Sequence, residues 1–127
     1  MPFVRAFVSQ SLSDAQVQAV SKSIHQGLID AFKIPPKDLF QVITRHAPNE
    51  IVCAPEYLGI EHSQKVAFIQ ITAKEGRTVE MKKDLFDRIA KGIDASGAVR
   101  AADVIISLVE NKESNWSFGN GVAQYVA

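Results

Sequence analysis

Residues 65 positions apart match along this chain without a gap: Phe3 with Phe68, Ser13 with Thr78, Ile24 with Ile89 and Asp38 with Asp103. One pair sets two helix caps in register and another sets two aspartates ahead of a strand, which is more than a shared hydrophobic period requires. The chain therefore reads as an internal duplication. That limits it to architectures in which one supersecondary motif packs against its own copy.

The motif is β-α-β. An apolar run, Phe3-Val4-Arg5-Ala6-Phe7-Val8, leads to Ser13-Asp14-Ala15-Gln16, where the Ser13 hydroxyl can cap a helix while Gln16 reaches back. Val17, Val20, Ile24, Leu28 and Ala31 then form one stripe ending near Phe32, and Pro35-Pro36 stops the helix. A strand is predicted over 39–44. The second copy has a β-branched and aromatic strand over 66–72, a Thr78 cap, the stripe Met81, Leu85, Ile89 and Ile93, and a long strand over 104–109. The predicted organisation is a single domain: a unit over about 2–46, a linking loop over 47–65, a second unit over about 66–110 and a tail over 111–127.

A crossover helix makes the two strands of each unit parallel. Pro2 and Asp38 then lie at the same end of the first unit. If the two units meet about a two-fold axis, the second pair runs antiparallel to the first, and its exit segment Lys74-Glu75-Gly76-Arg77 arrives at that end too. The expected fold is α+β, a four-stranded mixed sheet with two helices on one face. Strands apolar on both sides need more cover than two helices give, so the bare face predicts oligomerisation. The linking loop shows no period and reads as a lid, a partner contact or slack. The tail pairs Trp116 and Phe118 with Gly119 and Gly121, and its apolar end, 122–126, is a candidate added strand.

Composition narrows the function. The 127 residues carry 14 basic and 14 acidic side chains, for a net charge of zero, so no field recruits nucleic acid or an anionic membrane. No apolar run is long enough for a membrane span, no secretion signal is evident, and the one cysteine, Cys53, has no intramolecular disulfide partner, all of which points to the cytoplasm. His25, His46 and His62 show no metal spacing, and no phosphate-cradling glycine loop is present. No metal or cofactor is expected. Cys53 lies in the loop without an evident histidine partner and reads as incidental.

What remains is the amino terminus. Removal of Met1 would leave Pro2 with a free secondary amine at a sheet edge, beside Asp38 and Arg77. Each has a plainer explanation: a turn role shared with Asp103, and a solvated arginine before a helix cap. The functional alternative for Arg77 is a carboxylate site, because its guanidinium adjoins free helix N–H groups.

Four segments carry a family resemblance: Met1-Pro2, Ile34-Pro35-Pro36-Lys37-Asp38-Leu39-Phe40-Gln41, Gly76-Arg77-Thr78-Val79-Glu80-Met81-Lys82, and Trp116-Ser117-Phe118-Gly119-Asn120-Gly121. Over nearly its whole length the chain resembles the tautomerase superfamily, in particular the long-chain trimeric branch that contains malonate semialdehyde decarboxylases. The resemblance implies a homotrimer, removal of the initiator methionine and an amino-terminal proline as catalytic group. It matches Pro2 to that proline, Asp38 to a carboxylate that orients or activates water, Arg77 to the arginine that binds the substrate acid, and Trp116 and Phe118 to the pocket wall. Lys74-Glu75-Gly76-Arg77 is similar to an Arg-Glu-Gly-Arg pattern of a related dehalogenase, which adds Lys74 to the substrate-binding candidates. Two departures stand out. Glu75 replaces a second arginine of one decarboxylase type, and Leu28 replaces the first-helix histidine of the dehalogenase. The implied activity is cofactor-free enol or enolate chemistry on a small oxo-carboxylic acid, by a decarboxylase or a phenylpyruvate-type tautomerase. Alternatives are a 3-haloacrylate dehalogenase or hydratase, and a non-catalytic trimeric binding module.

Overall fold

The computed structural model describes residues 1–126. Strand β1 (Phe3–Ser9) is followed by helix α1 (Asp14–Phe32) and strand β2 (Gln41–His46), then by a hairpin of β3 (Glu56–Tyr57) and β4 (Ile60–Glu61). The second unit comprises β5 (Ala67–Lys74), α2 (Val79–Ala95) and β6 (Val104–Asn111). The main sheet has the order β2-β1-β5-β6. β1 pairs parallel with β2, β5 parallel with β6, and β1 antiparallel with β5. The expected two-fold arrangement is thus present, and its register sets Phe3 opposite Thr72 and Phe7 opposite Phe68.

Both helices start as their sequences dictate. Ser13 accepts from the Gln16 N–H while the Gln16 side chain accepts from the Ser13 N–H, and Thr78 accepts from the Met81 N–H. Helix α1 ends before the prolines, at Lys33, whose left-handed φ of 59° closes the last turn through a bond to the Ile29 carbonyl.

The core lies between helices and sheet. Val4, Ala6 and Val8 alternate inward from β1, as do Ala67, Ile69, Ile71 and Ala73 from β5. They meet Val20, Ile24 and Leu28 of α1 and Leu85, Ile89 and Ile93 of α2. Fully burying each of the larger side chains is worth about 1.5–3 kcal/mol. Where the helices touch, the duplication repeats a glycine: Gly27 and Gly92 are equivalent positions, and a Cβ at Gly27 would lie 2.8 Å from Ile89 Cγ1. Ile89 is fully buried and cannot swing away. Gly27→Ala should therefore lower stability by about 1–3 kcal/mol, overpacking outweighing the roughly 1 kcal/mol that alanine gains over glycine in a helix. A thermal melt checks this; a raised Tm would mean that the helices part freely. At Gly92 the corresponding approach, to Ser23, is a looser 3.2 Å.

The structure departs from the sequence reading in detail. β2 begins at Gln41, two residues later than predicted: the Leu39 N–H is tied into the preceding turn by the Lys37 carbonyl, and Leu39 and Phe40 stay exposed. The predicted structureless loop contains the β3–β4 hairpin. Residues 122–126 form no strand: the Gln124 side chain accepts from the Phe118 N–H and donates to the Gly119 carbonyl, folding the tail back on itself.

The far side of the sheet carries no helix. Phe3, Val42 and Val109 are exposed there, and a hollow of about 450 Å³ is lined by Phe7, His46, Phe68, Gln70, Ile105 and Ser107 among others. No helix among the described residues is long and apolar enough to cross a membrane.

Candidate active site

The two matching aspartates have diverged. Asp103, before β6, is buried and accepts from the Ser63 N–H at 2.8 Å, from the Ser63 hydroxyl, and from Arg100 Nε at 3.1 Å. Burial pushes its carboxyl up, but the hydrogen bonds from Arg100 and Ser63 outweigh this and hold it below the usual carboxylate range. Asp38, before β2, instead faces the start of the chain: its Oδ2 pairs with the amino group of Met1. Met1 and Pro2 are both buried, and Asp38 Oδ1 is buried with no hydrogen-bond partner among the described residues. An unmatched buried acceptor costs about 1–3 kcal/mol, which a donor reaching this oxygen would recover.

Arg77 comes to the same end because β5 runs antiparallel to β1. After Lys74 the chain turns through Gly76, whose φ of 115° is disfavoured for any side-chain-bearing residue, and Arg77 folds back to donate to the Lys74 carbonyl at 2.7 Å. Its guanidinium lies over the Phe32 ring, 4.9 Å from the centroid, and forms no salt bridge among the described residues. Partly buried beside the α2 N-terminus, it is placed to hold an anion. Lys74 is differently engaged: its Nζ pairs with Glu113 at 3.1 Å on an exposed surface, where such a pair is worth about 0–1 kcal/mol.

The tail supplies an aromatic wall. Trp116 Nε1 donates to Asn111 Oδ1 at the end of β6, fixing an indole that stacks on Phe118 with centroids 5.5 Å apart. Phe118 also meets Phe40, two residues beyond Asp38, at 5.3 Å, and Tyr125 edge-on at 5.2 Å. The turn that brings Phe118 and Tyr125 together has positive φ at Gly119, Asn120 and Gly121. Sequence reading named Trp116 and Phe118 but missed Phe32, Phe40, Asn111 and Tyr125. Phe40 was assigned to a strand, and Tyr125 to a tail strand that does not form.

The hairpin corrects one further expectation. It brings His62 to Cys53, with Nδ1 3.6 Å from the thiol sulfur. The same nitrogen lies 3.0 Å from the Ala54 carbonyl, which only accepts, so Nδ1 carries the proton and is not a base for the thiol. Among the described residues no group of three or more His, Cys, Asp or Glu side chains is arranged to hold a metal ion.

Comparison with known proteins decides the family. A family model described as "Tautomerase enzyme" matches residues 38–119. The chain is also 39% identical, over 99% of both lengths, to "Probable tautomerase YusQ" of Bacillus subtilis (strain 168). This chain belongs to the tautomerase family. Among solved structures, this chain is similar to FG41 malonate semialdehyde decarboxylase inhibited by 3-bromopropiolate, with a TM-score of 0.92, 35% identity, and coverage of 98% of this chain and 94% of that one. A second malonate semialdehyde decarboxylase, described with decarboxylase and hydratase activities, matches at TM-score 0.90 and 27% identity over 98% and 95% of the two chains. The fold that brings Asp38 and Arg77 to one end of the sheet is therefore shared with these structures over nearly their whole length.

Proposed function

We propose that this tautomerase is a cofactor-free enzyme, working in the cytosol as a homotrimer. It forms an enol or enolate from a small oxo-carboxylic acid, with the Pro2 nitrogen as acid/base once Met1 has been removed. The observation that carries this reading is the pairing of the chain's amino group with Asp38, at the sheet end to which β5 delivers Arg77. While Met1 is attached, the Pro2 nitrogen is a tertiary amide without a basic lone pair. Removing Met1 moves the free amine inward by one residue, about 3.8 Å along the chain, and makes it a secondary amine within the reach of Asp38.

Each remaining group then has a part. Arg77 holds the substrate carboxylate through two parallel N–H bonds, which fixes the reacting carbon and its oxygen near the proline. Neutral, the proline moves a proton between carbon and oxygen, as a tautomerase requires; protonated, it stabilises the enolate formed as carbon dioxide leaves. Asp38 orients the amine or a water. The wall of Trp116, Phe118 and Phe40 keeps bulk water from the enolate and strengthens every charge interaction beside it. Pairing of three bare sheet faces covers Phe3, Val42 and Val109.

The same ion pair favours a second reading. In a chain that keeps Met1, its amine neutralises Asp38 and blocks the proline, leaving a binding module. A panel of malonate semialdehyde, phenylpyruvate and 3-haloacrylates, assayed with protein of verified amino terminus, separates the two. Methionine-free protein should turn over at least one oxo acid. No turnover of any of them by methionine-free protein would leave only the binding module.

A further inference from the structure

Asp38 sits in a segment with few backbone bonds of its own before the Phe40 carbonyl accepts from Val4 at 3.0 Å and β2 pairing begins. Pro35 and Pro36 offer no N–H, and the internal bonds of the segment are short turns, Asp38 N–H to the Pro35 carbonyl at 3.0 Å and Leu39 N–H to the Lys37 carbonyl at 2.9 Å. Two side chains of α1 grip it from either side. The His25 ring lies with Nε2 2.8 Å from the Pro36 carbonyl, which only accepts, so the ring donates. The Ser21 hydroxyl donates to Gln41 Oε1 at 2.6 Å, and Gln41 Nε2 returns a bond to the Ser21 carbonyl at 3.3 Å. Ser21 and His25 are one helical turn apart and therefore share a face. Their contacts fall two residues before Asp38 and three after it.

The duplication supplies an internal control. The positions equivalent to Ser21, His25 and Gln41 in the second unit are Phe86, Ala90 and Ile106. Phe86 and Ile106 are packed against the core instead. A β-α-β unit of this fold thus forms without the two polar contacts. They occur only in the unit whose aspartate faces the chain's amino group, whereas Asp103 is held directly by Ser63 and Arg100.

We infer that Ser21 and His25 are positioning residues, a two-point clamp on the 36–41 segment that holds the Asp38 carboxylate in register with the terminal amine. The inference rests on the proposed role of Asp38 in oxo-acid turnover. Loosening the clamp moves a group that acts on the reacting atoms but leaves the Arg77 anchor untouched. It should lower kcat more than it raises KM, since a misplacement on the ångström scale costs up to about 10²-fold in rate.

The test measures kcat and KM for the oxo acid turned over in the panel, using the full chain with its amino terminus verified. His25→Ala and Ser21→Ala should each reduce kcat about tenfold with KM changed by less than about twofold. His25→Gln, which can still offer an N–H to the Pro36 carbonyl, should recover most of the rate, whereas His25→Leu should not. Thermal melts of the four variants should agree closely, because His25 and Ser21 lie outside the buried core. Asp38→Asn separates the two layers of the argument. If Asp38→Asn is impaired while His25→Ala and Ser21→Ala keep full kcat, the clamp is wrong and the site stands. If Asp38→Asn is itself fully active, the role of Asp38 falls and the clamp with it. Equal recovery by glutamine and leucine at position 25 would also overturn it, since packing would then suffice.

Discussion

Pro2→Ala lowers kcat/KM for oxo acids by about 10²–10⁴-fold, the range expected when a positioned acid/base group is lost, and leaves the fold and assembly intact. Alanine still permits removal of Met1, so the variant ends in a primary amine. That amine rotates freely about its Cα, whereas the pyrrolidine ring fixes the direction of the proline lone pair. Its basicity and its distance from Asp38 both change. The burial of Pro2 at the mouth of β1 is modest in volume, and loss of its ring removes little core, so a melting temperature near that of the wild type should accompany the loss of rate. An unchanged kcat/KM would mean that the proline is scaffold.

Arg77→Ala is expected to act on both kinetic parameters, raising KM for carboxylate substrates and lowering kcat, for a combined fall of about 10–10²-fold in kcat/KM. That corresponds to about 1.5–3 kcal/mol for hydrogen bonds to a charged partner. Arg77→Lys should recover only part of this. An ammonium cannot form two parallel bonds to a carboxylate, and the planar stacking over Phe32 is lost with the guanidinium. Uncharged analogues of the substrate should respond weakly to either change. If neither kcat nor KM moves in Arg77→Ala, the anion anchor lies elsewhere.

Much of the fold was legible because it is local or repeated. The Ser13 and Thr78 caps, the two apolar stripes and the constant offset between the units all translate directly into elements and their order. Once a two-fold between the units is assumed, as the duplication invites, the exit of β5 reaches the entrance of β1, and Arg77 comes to the end of the sheet where Pro2 lies. Side-chain direction was not legible. Leu39 and Phe40 extended the apparent strand because they are apolar, yet they are exposed, and the Phe40 ring packs against Phe118 instead. The β3–β4 hairpin escaped notice because its turn is Leu58-Gly59, with φ of 52° and 81°. Asparagine or aspartate before glycine is the usual signal for two such angles, and leucine gives none. With the hairpin missed, the approach of His62 to Cys53 was missed too. The clamp on Asp38 was hidden for a similar reason: Ser21 and His25 sit among the polar residues that any surface helix carries, and only the contact to Pro36 and Gln41 distinguishes them.

The proposed chemistry requires that the amine facing Asp38 in the working enzyme belong to Pro2. Intact mass spectrometry of the natively expressed protein, read against the specific activity of the same preparation, tests this most directly. The predicted result is a chain one methionine lighter than its translated sequence, with activity rising in proportion to the processed fraction. A preparation that retains Met1 and is fully active would contradict it.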